Sequence, residues 1–217
     1  MIPLSMVKYS GNNMLTNNKD IKAWLDTMNI ENYTINEYGT VTVDGDVNIS
    51  HKELTEIPVQ FRIAYGYFYC GNNRLKSLEG APREVGGDFY CGANRLTSLN
   101  GSPREVGGYF SCRFNNLTTL NGSPREVGGG FHCGWNNLTS LNGSPREVGG
   151  DFLCSHNGLT SLNGSPREVG GVFDCGFNNL ESLNGSPREV GSDFHCCYNR
   201  FKTIPKCDTI INGELFW

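Results

Sequence analysis

Leu75, Leu96, Leu117, Leu138, Leu159 and Leu180 recur every 21 residues, and Phe201 takes the next place. The same step carries Phe68 to Phe194, Cys70 to Cys196 and Asn73 to Asn199, while Pro82 to Pro187 complete the unit. It reads F-x-C-x-x-N-x-L-x-x-L-x-G-x-P-R-E-V-G-G-x. A unit this short cannot bury its own apolar side, so it must stack on its neighbours as a one-dimensional solenoid. Glycine supports that reading, since 28 of 217 residues are Gly and a helical bundle would not tolerate so many.

Within a unit, Phe-x-Cys alternates as a short strand with one buried face. Asn ends the strand, Leu-x-x-Leu turns inward twice, and Gly-x-Pro keeps the return path from becoming helix. The fold class expected is a β-rich solenoid with one parallel sheet of about eight strands and no helix in the repeats. The Asn side chains are expected to satisfy backbone groups of the turn and of the neighbouring coil.

The ends depart from the template. Val47, Ile49, Leu54 and Ile57 lie one period before Phe68, Cys70, Leu75 and Leu78, which makes a degenerate first coil. Thr40 to Val47 reads as a hairpin turning at Asp44-Gly45. Asp20 to Met28 places Ile21, Trp24, Leu25 and Met28 on one helical face. The chain is therefore divided into a helix and hairpin cap over 1–46, the solenoid over 47–205, and a C-terminal cap over 206–217. Ile204, Ile210, Ile211, Leu215, Phe216 and Trp217 are expected to fold over the preceding coil, because open solenoid ends need covers.

The core F-x-C-x-x-N-x-L-x-x-L resembles the L-x-L-x-x-N-x-L signature of leucine-rich repeats, over roughly residues 47–205. The short return through Pro resembles the bacterial class found in secreted effectors. The near-identical Asn-Gly-Ser-Pro-Arg-Glu-Val-Gly-Gly arrays resemble leucine-rich-repeat proteins encoded by tailed bacteriophages. Val stands where the effector class has Leu, four residues before the strand Phe, and no ubiquitin-ligase domain follows within these residues, so that activity is not implied. What the resemblance implies is a protein-binding solenoid made in the cytoplasm of an infected bacterium.

Charge removes other classes. Lys+Arg 18 against Asp+Glu 22 gives a net charge of −4, so no bulk basic charge exists for nucleic acid or an anionic bilayer. No run of apolar residues is long enough to span a membrane, and the amino terminus lacks the pattern of a secretory leader, so the expectation is a soluble, unexported protein. Seven of the nine cysteines hold an inward slot at constant spacing, and no C-x-x-C occurs, so they read as reduced core residues, not metal ligands or bridges. Arg83 to Arg188 form a positive row, but Glu84 to Glu189 form a negative one beside it. The two rows cancel as a solvated face.

Seven copies of one template allow variable positions to be read inside a single chain. They fall in three outward rows. One runs Tyr67, Asp88, Tyr109, Gly130, Asp151, Val172, Asp193; the next Tyr69, Tyr90, Ser111, His132, Leu153, Asp174, His195; the last Asn72, Ala93, Phe114, Trp135, His156, Phe177, Tyr198. Drift at exposed sites favours small polar residues, whereas these rows carry rings, acids and imidazoles, the side chains of contact surfaces. The partner-binding candidates are Tyr69, Tyr90, Tyr109, Phe114, His132, Trp135, Asp151, His156, Asp174, Phe177, Asp193, His195 and Tyr198. Asp174, His195 and Cys197 have the composition of a nucleophilic triad, but i and i+2 residues of one strand stand about 6.8 Å apart. An open sheet also offers no oxyanion hole, and the histidines converge on no metal. The functional expectation is a non-enzymatic module without cofactor or metal that binds a protein partner with a basic patch, blocking a host factor. A structural or assembly component of a phage particle is the alternative, and sequestration of a nucleotide or other small ligand the second.

Overall fold

A computed structural model describes residues 14–217. The part of the amino-terminal cap assigned to residues 1–13 lies outside the described residues. The repeat forms a β-solenoid, and each coil contributes two strands to two separate sheets. The first sheet has nine strands: β3 (Val47–Asn48), the Phe-x segments from Phe68–Tyr69 to Phe194–His195, and Leu215–Phe216. Its strands are parallel and strictly in register, Phe110 on Phe131 on Phe152.

The second sheet is the main departure from the sequence reading, which placed all pairing in one sheet. β2 (Thr40–Val43), β4 (Gln60–Ala64), the Glu-Val segments from Glu84–Val85 to Glu189–Val190, and Ile210–Ile211 form a parallel ladder, with β1 (Tyr33–Ile35) antiparallel at its edge. The physical reason is the identical length of every coil. Each return segment lies directly over its copy, so Arg104 N–H reaches Arg83 O at 2.8 Å and Gly107 N–H reaches Val85 O at 2.9 Å. Extended backbone stacked on itself in this way pairs and does not leave its polar groups unmet.

Between the sheets the Phe, Cys, two Leu and Val of each coil are buried. Phe68, Phe89, Phe110, Phe131, Phe152 and Phe173 stack face to face with centroids 5.0–5.7 Å apart. The Asn ladder does what the turn requires. Asn94 Oδ1 accepts Leu75 N–H at 2.9 Å, while its amide donates to Cys70 O and Cys91 O at 3.0 and 3.1 Å, and the same bonds recur up to Asn199. All nine cysteines are free, and burial drives the thiols of Cys70, Cys91, Cys112, Cys133, Cys154 and Cys175 well up, that of Cys196 to about 12.

At the amino-terminal end, α1 (Asn18–Thr27) begins at Asn17, whose side chain accepts Asp20 N–H at 2.8 Å. It lays Ile21, Trp24 and Leu25 over the core, Trp24 edge-on to Phe61. The hairpin is displaced by one strand from the sequence reading: β1 pairs with β2 through the turn at Gly39 (φ 73). Asp44-Gly45-Asp46 is instead a corner that carries the chain from one sheet to the other, because β2 already has β4 on its second side. Residues 207–217 cover the preceding coil with Cys207, Ile211 and Leu215, while Ile204, Ile210, Phe216 and Trp217 stay exposed. The segment forms another coil, with Ile211 in the Val slot beside Val190 and Leu215 in the Phe slot beside Phe194.

Candidate functional site

The outward residue just past each strand sits in the left-handed region, with φ 53 to 57 at Ala93, Phe114, Trp135, His156, Phe177 and Tyr198. Such a position favours Gly or Asn, and bulky residues there carry strain. Asn72 fills it in the first full coil. The rings of Phe114, Trp135, Phe177 and Tyr198 therefore run against the local preference.

Those rings form one column. Centroids of Phe114–Trp135, Trp135–His156, His156–Phe177 and Phe177–Tyr198 are 5.4, 3.9, 4.3 and 4.3 Å apart, with planes within 26°. The rings take up each other's faces and present their edges. Arg113 places its guanidinium 5.5 Å from the Phe114 ring, and Tyr198 ends the column 73% exposed.

The strand face itself divides in two. Tyr69 stacks on Tyr67 at 4.1 Å and meets Tyr90 edge-on at 5.4 Å. Tyr109 crosses a whole coil to bond Asp151 Oδ2 at 3.1 Å, passing over Gly130, where a Cβ would lie 2.5 Å from the Tyr109 ring. Burial and then Asp151 push the Tyr109 hydroxyl up, as burial and then Asp88 do for Tyr69. Farther along, His132 is half-buried; burial first, then Arg113, lowers its pKa against the opposing pull of Asp174. Ser111 beside it is wholly buried. Among the described residues no ring contact joins the tyrosine cluster to the column.

The acids have a second duty that the sequence did not disclose. Oδ1 of Asp46, Asp88, Asp151 and Asp193 accepts the backbone N–H of Tyr67, Tyr109, Val172 and Glu214, one coil on, at 2.8–3.0 Å. A Cβ at Gly66, Gly108, Gly171 or Gly213 would sit 2.0–2.2 Å from that oxygen, so the preceding glycine makes room for it. Asp151 thus has both oxygens engaged. Asp174 accepts Gly176 N–H at 2.8 Å, and His195 stands 4.0 Å from Asp193 and 4.8 Å from Phe216.

Tyr67 and Gly130, which the sequence reading placed in an outward row without naming them as candidates, belong to this surface, as do Arg113 and Phe216, which it left out of the rows. Arg113 had a signal, since it interrupts a column otherwise made of small residues from Gly71 to Cys197. On the opposite sheet a groove of about 890 Å³ follows the Glu row. There only Arg146–Glu147 and Arg167–Glu168 close to ion-pair distance among the described residues, at 3.9 and 3.6 Å and exposed, so they add little.

These features define a β-solenoid with a constant scaffold and one elaborated face. No protein-family model, curated protein or solved structure matches the chain. Among the described residues, no helix is long and apolar enough to cross a membrane.

Proposed function

We propose that this solenoid is a non-enzymatic binding module that grips a protein partner with its Phe-Cys strand face and the aromatic column along it. The observation that carries the reading is the row of rings at left-handed backbone positions, from Phe114 to Tyr198. Strain retained at a surface, beside a scaffold copied almost verbatim, is the pattern of a site and not of drift. Asp174 and Asp193 keep the face acidic, which favours a partner with a basic patch. The resemblance to phage-encoded leucine-rich repeats supplies the setting: a protein made in an infected bacterium that blocks a host factor.

Affinity capture from that host tests the reading with three forms of the protein. Trp135→Ala is expected to weaken the partner by about 2 kcal/mol, roughly 30-fold, while Arg125→Ala on the opposite sheet retains it. Trp135→His, which keeps a flat ring in a tolerated backbone conformation, should hold the melting temperature and still lose affinity. Normal binding by both Trp135 variants, with binding lost in Arg125→Ala, would place the site on the wrong sheet.

A further inference from the structure

Seven Asn-Gly pairs occur in the chain, at Asn100, Asn121, Asn142, Asn157, Asn163, Asn184 and Asn212. An asparagine before glycine is chemically weak, because the glycine nitrogen has no side chain to shield it and can attack the amide carbon beside it. The fold sorts the seven into two groups. Five stand at the corner after the second Leu of a coil, exposed, and among the described residues neither the side-chain amide nor the glycine N–H makes a hydrogen bond. The other two are held. Gly158 N–H reaches Leu138 O at 2.9 Å and Gly213 N–H reaches Ser192 O at 3.1 Å. The Asn157 side chain also accepts Leu138 N–H at 3.0 Å and donates to Cys133 O and Cys154 O at 3.2 and 3.1 Å.

The corner itself grades the five. In each, a serine N–H closes on the Leu carbonyl, Ser102 on Leu99 at 3.0 Å and Ser186 on Leu183 at 3.1 Å, around a glycine with φ 86 to 92. That is a type II turn, in which the residue before the glycine has ψ about +120° and its side chain stands away from the glycine nitrogen. Attack therefore requires the Asn-Gly peptide to turn over first. At Asn121, Asn142 and Asn163 the carbonyl of that peptide accepts Leu99, Leu120 and Leu141 N–H at 3.3, 3.1 and 3.0 Å, a bond lost when it turns. Asn100 and Asn184 have no such bond among the described residues. The corner also accommodates a carboxylate, since Glu79 holds the same slot, exposed, one coil before Asn100.

We propose that these five corners are sites of spontaneous covalent modification, led by Asn100 and Asn184. The glycine nitrogen gives its proton to a solvent base and bonds to Cγ of the asparagine, the bond from Cγ to the amide nitrogen breaks, and ammonia leaves a five-membered imide. Water then opens the ring at one of its two carbonyls, giving aspartate or its isomer with the main chain routed through the side chain. No oxidation or reduction is involved. Each event adds one negative charge to a chain of net charge −4, and the isomer lengthens by one methylene a coil whose constant length keeps both sheets in register. The corners belong to neither sheet and lie apart from the binding face.

The test holds the folded full chain in mildly alkaline buffer for weeks, beside the same chain in urea. Cleavage after arginine puts each corner in its own peptide, ending at Arg104, Arg125, Arg146, Arg167 or Arg188, and fragment masses separate Asn157 from Asn163. Chromatography with mass spectrometry then reads amide, acid and isomer at every site. In folded protein Asn100 and Asn184 are expected to convert roughly tenfold or more faster than Asn157 and Asn212, which must first give up a hydrogen bond, with Asn142 and Asn163 between them. In urea the seven rates should draw together. Equal rates in the folded protein, or a lead for Asn157, overturn the proposal. So does a folded protein that keeps all five corner amides while the unfolded chain loses them.

Discussion

Asn94 and Asn72 are the same residue type, one coil apart and one position different in the unit, yet they do opposite work. Asn94 is buried and connects three backbone groups of two coils, while Asn72 is exposed and merely tolerates a left-handed turn. Asn94→Ala leaves Leu75 N–H and the Cys70 and Cys91 carbonyls without that partner in a water-poor site, each an expensive omission. The expected loss is about 3 kcal/mol in a urea titration, against about 1 kcal/mol or less for Asn72→Ala. Equal effects would mean that water replaces the Asn94 amide and that the ladder is not what joins the coils. The role of the Asn row was legible in the sequence because one short amide at constant spacing in a tight coil has few other uses. The corner bonds of Asp46, Asp88, Asp151 and Asp193 were not legible, since they depend on a backbone N–H one coil away. Placing Asp151 and Asp193 among contact residues missed this structural share.

At the level of the strand, the Phe-x-Cys element was readable because its burial alternates over several residues and its partner lies one period on. The Glu-Val strands were not, since two residues after a proline carry no periodicity of their own and pair only because the coils are equal in length. The hairpin was misplaced for a related reason: Asp44-Gly45 has hairpin chemistry, but β2 takes β1 and β4 as neighbours, and the glycine serves a corner. The cysteine row is the sharpest check on the first sheet. All seven of its thiols are buried and raised above their ordinary range by burial, whereas Cys197 and Cys207 are partly exposed. Because the thiolate is the reactive form, mild alkylation followed by mass spectrometry should label Cys197 and Cys207 well before Cys112, Cys133 or Cys154. Uniform labelling of all nine in folded protein would contradict the inward assignment.

For the whole molecule, equal coils mean that stability is a sum of units and of the contacts between neighbours, with no central core to lose. One consequence is that a complete period can be taken out. Removing residues 126–146 joins Arg125 to Glu147 and restores the template at the junction, while the aromatic column contracts so that His156 comes to lie on Phe114. The shortened protein is expected to unfold cooperatively with a urea m-value lower by about a tenth, in proportion to the surface removed. The position of the cut should matter little, so removing 147–167, which joins Arg146 to Glu168 and takes out His156 instead of Trp135, should give the same m-value and nearly the same midpoint. Removing half a period, residues 126–135, sends one strand toward the wrong sheet and turns apolar residues outward, and should abolish the cooperative transition. If the half-period deletion were as stable as the full one, the register that aligns Phe on Phe and Val on Val would not be what holds the solenoid together. If instead the two full-period deletions differed widely, the coils would not be interchangeable, and a particular pair of them, with the rings of residues 114–198 the first suspects, would be dominating the stability of the whole.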